Sequence, residues 1–290
     1  MSSIAWIDRS ESLDDLLHQE ASLTLHRIEQ GFEAEVVKIS SDKDSFVLKT
    51  WSKSSKPDIG FQFRLLQALY EQGVSVSKPV GWGMNPNGDK VLLTTFDGTS
   101  IHQVSEKKMA DIARLLTHIH QISAQEIEIA GIPKYEFIDY FLRGAKDHPD
   151  IYSVLAALVQ KASIQQDCFI HGDFHLGNLV EENGRYTVID WTNGQLGDAR
   201  YDFAWAFILQ HIYLSEKYAK AFRAAYLLES NIQQEELAVF EGLACLRWLL
   251  LHRSGGVPMR PKTLERVRVL ISRNPFFKNV EFKHFSIKQK

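Results

Sequence analysis

The stretch CFIHGDFHLGNLVEENGRYTVIDW, residues 168–191, decides the reading of the whole chain. Asn183-Gly184 is the strongest two-residue hairpin signal, because both positions tolerate the positive φ that a type I′ turn needs. With that turn in place, residues pair as 182:185, 181:186, 180:187, 179:188 and 178:189, and Asn178 and Asp190 arrive together at the open end. Asp173 lies five positions before Asn178, on a glycine-bearing loop that can fold back to the same place. Two carboxylates and an amide oxygen then converge. The set is rich in oxygen and poor in soft ligands, which suits Mg²⁺ over zinc. Phosphoryl transfer uses this combination: a divalent ion to neutralise phosphate oxygens, and one carboxylate to orient the attacking hydroxyl and accept its proton. By separation, Asp173 is the hydroxyl-facing base, and Asn178 with Asp190 is the metal pair.

Outward from this segment the two halves of the chain differ in period. The first hundred residues alternate: 23–28, 34–39 and 45–51 read as strands of a meander, and 91–96 as a buried strand. Between 45–51 and 91–96 a helix is expected after Pro57, with Gln62, Leu65, Leu66 and Leu69 on one face and Gly73 at its end. From residue 105 the period becomes 3.6. Ser105 caps a helix carrying Ile112, Leu115, Leu116 and Ile119, Asp150 caps another, and helical patterns follow near 202–214, 216–229, 234–253 and 261–273. The expected class is α+β, with a β-rich lobe over 1–98, an α-rich lobe over 99–290, and a ligand cleft as the default consequence.

Composition narrows the class further. A chain of 290 residues, at about 150 per domain, makes two domains or one bilobal unit. With 44% hydrophobic and 24% charged residues it lies away from disordered and collagen-like sequences. Residues 260–290 hold nine Lys/Arg against two Glu, about +7, so with −3 overall the remainder carries about −10. Phe276, Phe277, Phe282 and Phe285 interleave that tail, which reads as a packing segment, and no nucleic-acid partner is expected. The two cysteines, Cys168 and Cys245, offer no disulfide framework. No apolar run approaches the roughly 20 residues that span a bilayer, and no signal core follows Met1. A cytoplasmic protein without a membrane partner is expected.

His171-Gly-Asp173-x-x-x-x-Asn178 followed by Ile189-Asp190-Trp191 resembles the aminoglycoside phosphotransferase and choline kinase superfamily, the small-molecule relatives of protein kinases. Gly197-Asp198-Ala-Arg-Tyr-Asp202-Phe-Ala204 mirrors a later stretch of that family. The resemblance implies a protein-kinase-like bilobal fold and an ATP- or GTP-dependent phosphotransferase acting on a small hydroxyl-bearing acceptor. It implies that Asp173 is the catalytic base and that Asn178 and Asp190 hold Mg²⁺. Through the same resemblance, Gly31 at a strand turn falls over the phosphates, Lys49 of Phe-Val-Leu-Lys contacts the α- and β-phosphates, and Thr95 and Phe96 fall where backbone groups meet adenine. Acceptors in the family include aminoglycosides, macrolides, choline, methylthioribose and homoserine. One position departs from the pattern: the helical Glu that pairs with the lysine is replaced by Gln62, whose amide oxygen could still accept from Lys49, with Asp58 as a substitute.

Two further readings stay open. His171, Asp173 and His175 alternate, as the ligands of a metal-dependent hydrolase do. Gln62 alone is compatible with a nucleotide-binding pseudokinase that turns nothing over. Among the neighbours, His171 is expected to orient the loop, His175 either faces the substrate or fills the loop, Asp202 reads as a helix N-cap or as a residue of the site, and Trp205 and Trp248 read as core.

Overall fold

The computed structural model of the chain describes residues 1–28, 34–123 and 131–283. In chain order its elements begin with β1 (Ala5–Arg9), α1 (Glu11–His18), β2 (Thr24–Arg27), β3 (Glu35–Ser40), β4 (Ser45–Trp51), α2 (Ile59–Glu71), β5 (Pro79–Met84), β6 (Lys90–Thr95) and β7 (Thr99–Ser100). They continue with α3 (Glu106–Gln121), α4 (Phe137–Phe141), α5 (Pro149–Ala162), β8 (Cys168–Ile170), β9 (Leu179–Glu182), β10 (Arg185–Val188), β11 (Gln195–Gly197), α6 (Ala199–Tyr213), α7 (Glu216–Glu229), α8 (Gln234–Arg253) and α9 (Thr263–Arg273). These make two compact units. The first holds the described residues of 1–100 together with 179–192, and the second those of 101–178 and 193–283.

The first unit is built on a six-stranded antiparallel sheet in the order β1-β5-β6-β4-β3-β2. Alternation sorts its side chains. Ile39, Phe46, Val80 and Leu93 bury one face against Leu13 and Leu16 of α1, with Trp6, Val37 and Leu48 packed around them. By register, Val36, Lys38, Val47, Lys49, Leu92 and Thr94 share the opposite face. Helix α2 starts where Asp58 accepts the Phe61 N–H at 2.9 Å, and it stops before Gly73, whose φ of +76° is the left-handed conformation of a helix end. A second sheet, β10-β9-β7, carries the expected hairpin, with Arg185↔Glu182, Tyr186↔Glu181, Thr187↔Val180 and Val188↔Leu179 paired. Gly98 permits its third strand: at φ +121°, a Cβ there would come 2.3 Å from the Glu181 carbonyl oxygen.

In the second unit α6 is the central element, buried from Tyr201 to Ile212 and packed by α7, α8 and α9. Its aromatic face stacks Phe203 on Tyr226 with ring centroids 4.2 Å apart. Two expected caps are corrected here. Helix α6 is capped by Asp198, which accepts the Arg200 N–H, because the helix begins a turn earlier than its apolar run. Helix α5 starts at Pro149, and Asp150 inside its first turn is bound instead by the Arg253 guanidinium at 2.9 and 2.5 Å and by the Lys283 N–H at 2.8 Å.

That pair gives a pH prediction. The hydrogen bonds from Arg253 outweigh burial and hold the Asp150 carboxyl well below the usual carboxylate range. A depressed acid stabilises the folded state above its unfolded pKa of about 3.9, and the stabilisation is lost as pH falls below that value. Both side chains are about nine-tenths buried, at 10% and 12% exposure, so Asp150→Asn is expected to cost about 3 kcal/mol at neutral pH. The melting-temperature gap from wild type should narrow progressively below about pH 4. A gap that stays constant from neutral pH to pH 3 would contradict the assignment.

Candidate active site

Residues 171–178 form a turn-rich loop after β8, and α6 fixes its backbone. Asp202, with no exposed surface, accepts the N–H of His171 at 2.9 Å on Oδ2 and the N–H of Gly172 at 3.0 Å on Oδ1. His120 of α3 approaches Asp202 Oδ2 with Nε2 at 3.1 Å and holds the Tyr226 hydroxyl at Nδ1, 2.7 Å away. Asp202 is therefore an anchor for the loop and not the cap that its place before an apolar helix suggests. Gly172 has to be glycine: its φ is +78°, and a Cβ would lie 2.7 Å from the Asn193 carbonyl oxygen. His171, also fully buried, accepts the Asp173 N–H on Nδ1 at 3.2 Å, which is the orienting role expected of it.

These contacts aim the Asp173 side chain. Its Oδ1 accepts the Trp205 indole N–H at 2.7 Å and lies 3.7 Å from Arg247 Nη2, while Oδ2 lies 3.5 Å from His175 Nε2. Burial pushes the Asp173 carboxyl up, yet the His175 contact, the Arg247 charge and the Trp205 hydrogen bond together hold it well below the usual range. Arg247 donates through Nη1 to the Gly172 carbonyl at 3.0 Å. Asn178 closes a 3₁₀ turn and donates its amide N–H to the Asp173 carbonyl at 2.9 Å. Its Oδ1 is then the atom left to offer outward. Asp173 and Asn178 are thus brought together, as the sequence predicts. Asn178 itself lies outside the ladder, which ends at Val188↔Leu179.

The remaining expected residues lie in the first unit. Lys49 stands mid-strand in β4 between Val36 and Leu92, and among the described residues no hydrogen bond or ion pair holds its ammonium. Gln62 is buried at 7% exposure and does point inward, but its Nε2 donates to the Trp191 carbonyl at 3.0 Å, so the expected bond to Lys49 is not the one formed. Asp58 is spent on capping α2. Asp190, next to Trp191, is exposed and adopts φ +62°, a left-handed conformation that aspartate takes more readily than most non-glycine residues. Its Oδ1 accepts the Thr192 hydroxyl at 2.9 Å, which leaves Oδ2 open. The N–H groups of Thr95 and Phe96 are already donated to Lys78 and Ser45 carbonyls at 2.9 Å each, because strand pairing runs through both residues. The Lys38 ammonium covers the Phe96 ring at 3.7 Å. Gly31 lies outside the described residues.

Residues 24–247 match the family model described as the phosphotransferase enzyme family. The chain belongs to that family. No curated protein matches it. Among solved structures, the phosphotransferase is similar to the amicoumacin kinase hAmiN in complex with AMP-PNP, Ca²⁺ and Ami, at 15% identity and TM-score 0.62, over 94% of this chain and 97% of that one. It is similar also to choline kinase LicA from Streptococcus pneumoniae (15% identity, TM-score 0.58, 90% and 98% covered) and to a Plasmodium vivax ethanolamine kinase (15%, 0.60, 92% and 86%). The expected protein-kinase-like α+β fold is therefore the fold of this phosphotransferase.

The hydrolase alternative loses its basis in the loop. Nδ1 of His171 and Nδ1 of His175 each already accept a backbone N–H, and among the described residues no group of three or more His, Cys, Asp or Glu is arranged to hold a metal ion. Trp205 and Arg247 are the loop contacts that sequence reasoning missed. Trp205 read as core from its helical spacing, and Arg247 lies 74 positions beyond Asp173 with no local signal.

Proposed function

We propose that this phosphotransferase moves the γ-phosphate of ATP or GTP to a hydroxyl of a small molecule. The observation that carries the reading is the Asp173 carboxylate: it stands on a loop pinned at the two backbone N–H groups that precede it, with one oxygen bonded to the Trp205 indole at 2.7 Å and the other 3.5 Å from His175. Held so far on the acidic side, Asp173 remains a carboxylate at neutral pH. Its work is to orient the acceptor hydroxyl and to take the proton late, once the phosphoryl group has largely left the nucleotide. Aminoglycosides and macrolides are acceptors that fit the family.

The donor atoms available suit a divalent cation. Among the described residues, Asn178 Oδ1 and Asp190 Oδ2 are hard oxygen ligands without hydrogen-bond partners, and Mg²⁺ characteristically takes few protein ligands and keeps positions for phosphates. When bound it neutralises charge on the phosphate oxygens. The nucleotide and Ca²⁺ in the amicoumacin kinase complex support this reading. Lys49, unpaired among the described residues, is proposed to meet the α- and β-phosphates, with the 95–96 segment beside the base. Because both of its N–H groups are taken, that segment would meet adenine through the Phe96 carbonyl.

Asp190→Ala is expected to weaken Mg-dependent nucleotide binding about tenfold or more in titration calorimetry. Wild-type affinity in that variant would remove Asp190 from the metal role. Gln62 favours a second reading, a nucleotide-binding module that transfers nothing, because it puts an amide, bonded to the Trp191 carbonyl, where the family's pattern has the carboxylate that pairs with the lysine. Nucleotide binding without phosphoryl transfer to any acceptor would select it.

A further inference from the structure

We propose that Trp205 is the positioning residue of Asp173 and that Arg247 fixes the indole for that task. The inference rests on the reading of Asp173 as the base. A carboxylate offers two oxygens, and a general base works best when one is locked and the other faces the proton it takes. Here Oδ1 accepts the indole N–H at 2.7 Å, while among the described residues Oδ2 has His175 Nε2 at the longer distance of 3.5 Å. Indole suits the locking role because its N–H donates, accepts nothing and does not titrate near neutrality, so it never competes for the acceptor proton.

The placement follows from the helix. Asp202 and Trp205 are three residues apart on α6 and so share a face, one gripping the loop by its backbone and the other by the Asp173 side chain. Trp205 itself is 3% exposed. The Arg247 guanidinium lies 4.0 Å from the Trp205 ring centroid and 4.9 Å from that of Phe141, and its Nη1 is tied to the Gly172 carbonyl. Stacked on the indole and bound to the residue before Asp173, it fixes ring and loop relative to each other. A tryptophan that merely filled the core would need some acceptor for its N–H. This one uses the carboxylate on which the proposed chemistry depends.

The test is a double-mutant cycle on phosphoryl transfer with Trp205→Phe, Asp173→Asn and the double variant, joined to the indole ¹⁵N–¹H spectrum. Trp205→Phe keeps the ring and removes the donor. It is expected to lower kcat about tenfold to a hundredfold while KM for ATP stays within about twofold. In the Asp173→Asn background the same change should alter the residual rate less than about twofold, since the proton-accepting carboxylate that Trp205 positions is already gone. The Trp205 indole resonance, assigned by its loss in Trp205→Phe, should move upfield in Asp173→Asn. Wild-type kcat in Trp205→Phe, an equal loss in both backgrounds, or an unmoved resonance would each overturn the proposal. If the wild-type protein transfers no phosphate while the resonance does move, the base reading fails and takes the positioning role with it, although the hydrogen bond stands.

Discussion

Asp173→Asn is expected to lower phosphoryl transfer by about a thousandfold or more while leaving Mg·nucleotide binding within about twofold of wild type. The split follows from which atoms the carboxylate touches. Asp173 is bonded to Trp205 and approached by Arg247 and His175, all groups of its own unit, and its proposed partner in the reaction is the acceptor hydroxyl. Asparagine has nearly the same shape and still accepts the Trp205 N–H through its carbonyl, so the loop should survive. What disappears is the atom that takes the proton. Steady-state kinetics beside titration calorimetry of the nucleotide decides the matter, and a variant that turns over at near wild-type rate removes Asp173 from the chemistry.

Asp202→Asn is expected to destabilise the protein by about 2 to 4 kcal/mol, because a buried acceptor becomes half a donor. The carboxylate serves the His171 and Gly172 N–H groups with separate oxygens, and His120 shares one of them, all without solvent. An amide has one acceptor oxygen. Its NH₂ must face a backbone N–H or the His120 ring, leaving at least one buried donor unpaired. At roughly 2 to 4 °C per kcal/mol for a domain of about 200 residues, the melting temperature should fall by about 4 to 16 °C. Because those two N–H groups immediately precede Asp173, kcat should fall as well. Denaturant titration within about 0.5 kcal/mol of wild type would show that the loop does not depend on this anchor.

Local signals in the sequence were read well where they were strong. The Asn183-Gly184 turn set four cross-strand pairs correctly, Ser45–Trp51 alternates cleanly enough to bound β4, and α7 and α8 begin and end where their periods do. Strand β1 and helix α1 escaped notice, since Ala5–Arg9 alternates weakly and eight residues give a helix pattern barely two turns. Asp202 stays open between cap and site in the sequence for a physical reason: a carboxylate before an apolar helix looks the same whether it caps that helix or reaches back 30 residues to hold a loop. Gln62 was seen to point inward, but its partner, 129 positions away, is set by tertiary packing alone. The same holds for Trp205 and Arg247, whose meeting with Asp173 exists only in the folded chain.

The most direct measurement is γ-phosphate transfer from Mg·ATP and Mg·GTP across aminoglycosides, macrolides, choline, methylthioribose and amino alcohols, run beside Asp173→Asn. Transfer to one of these acceptors that vanishes in the variant is the result expected. Transfer that survives the variant, or a wild-type protein that binds no nucleotide, would contradict the account.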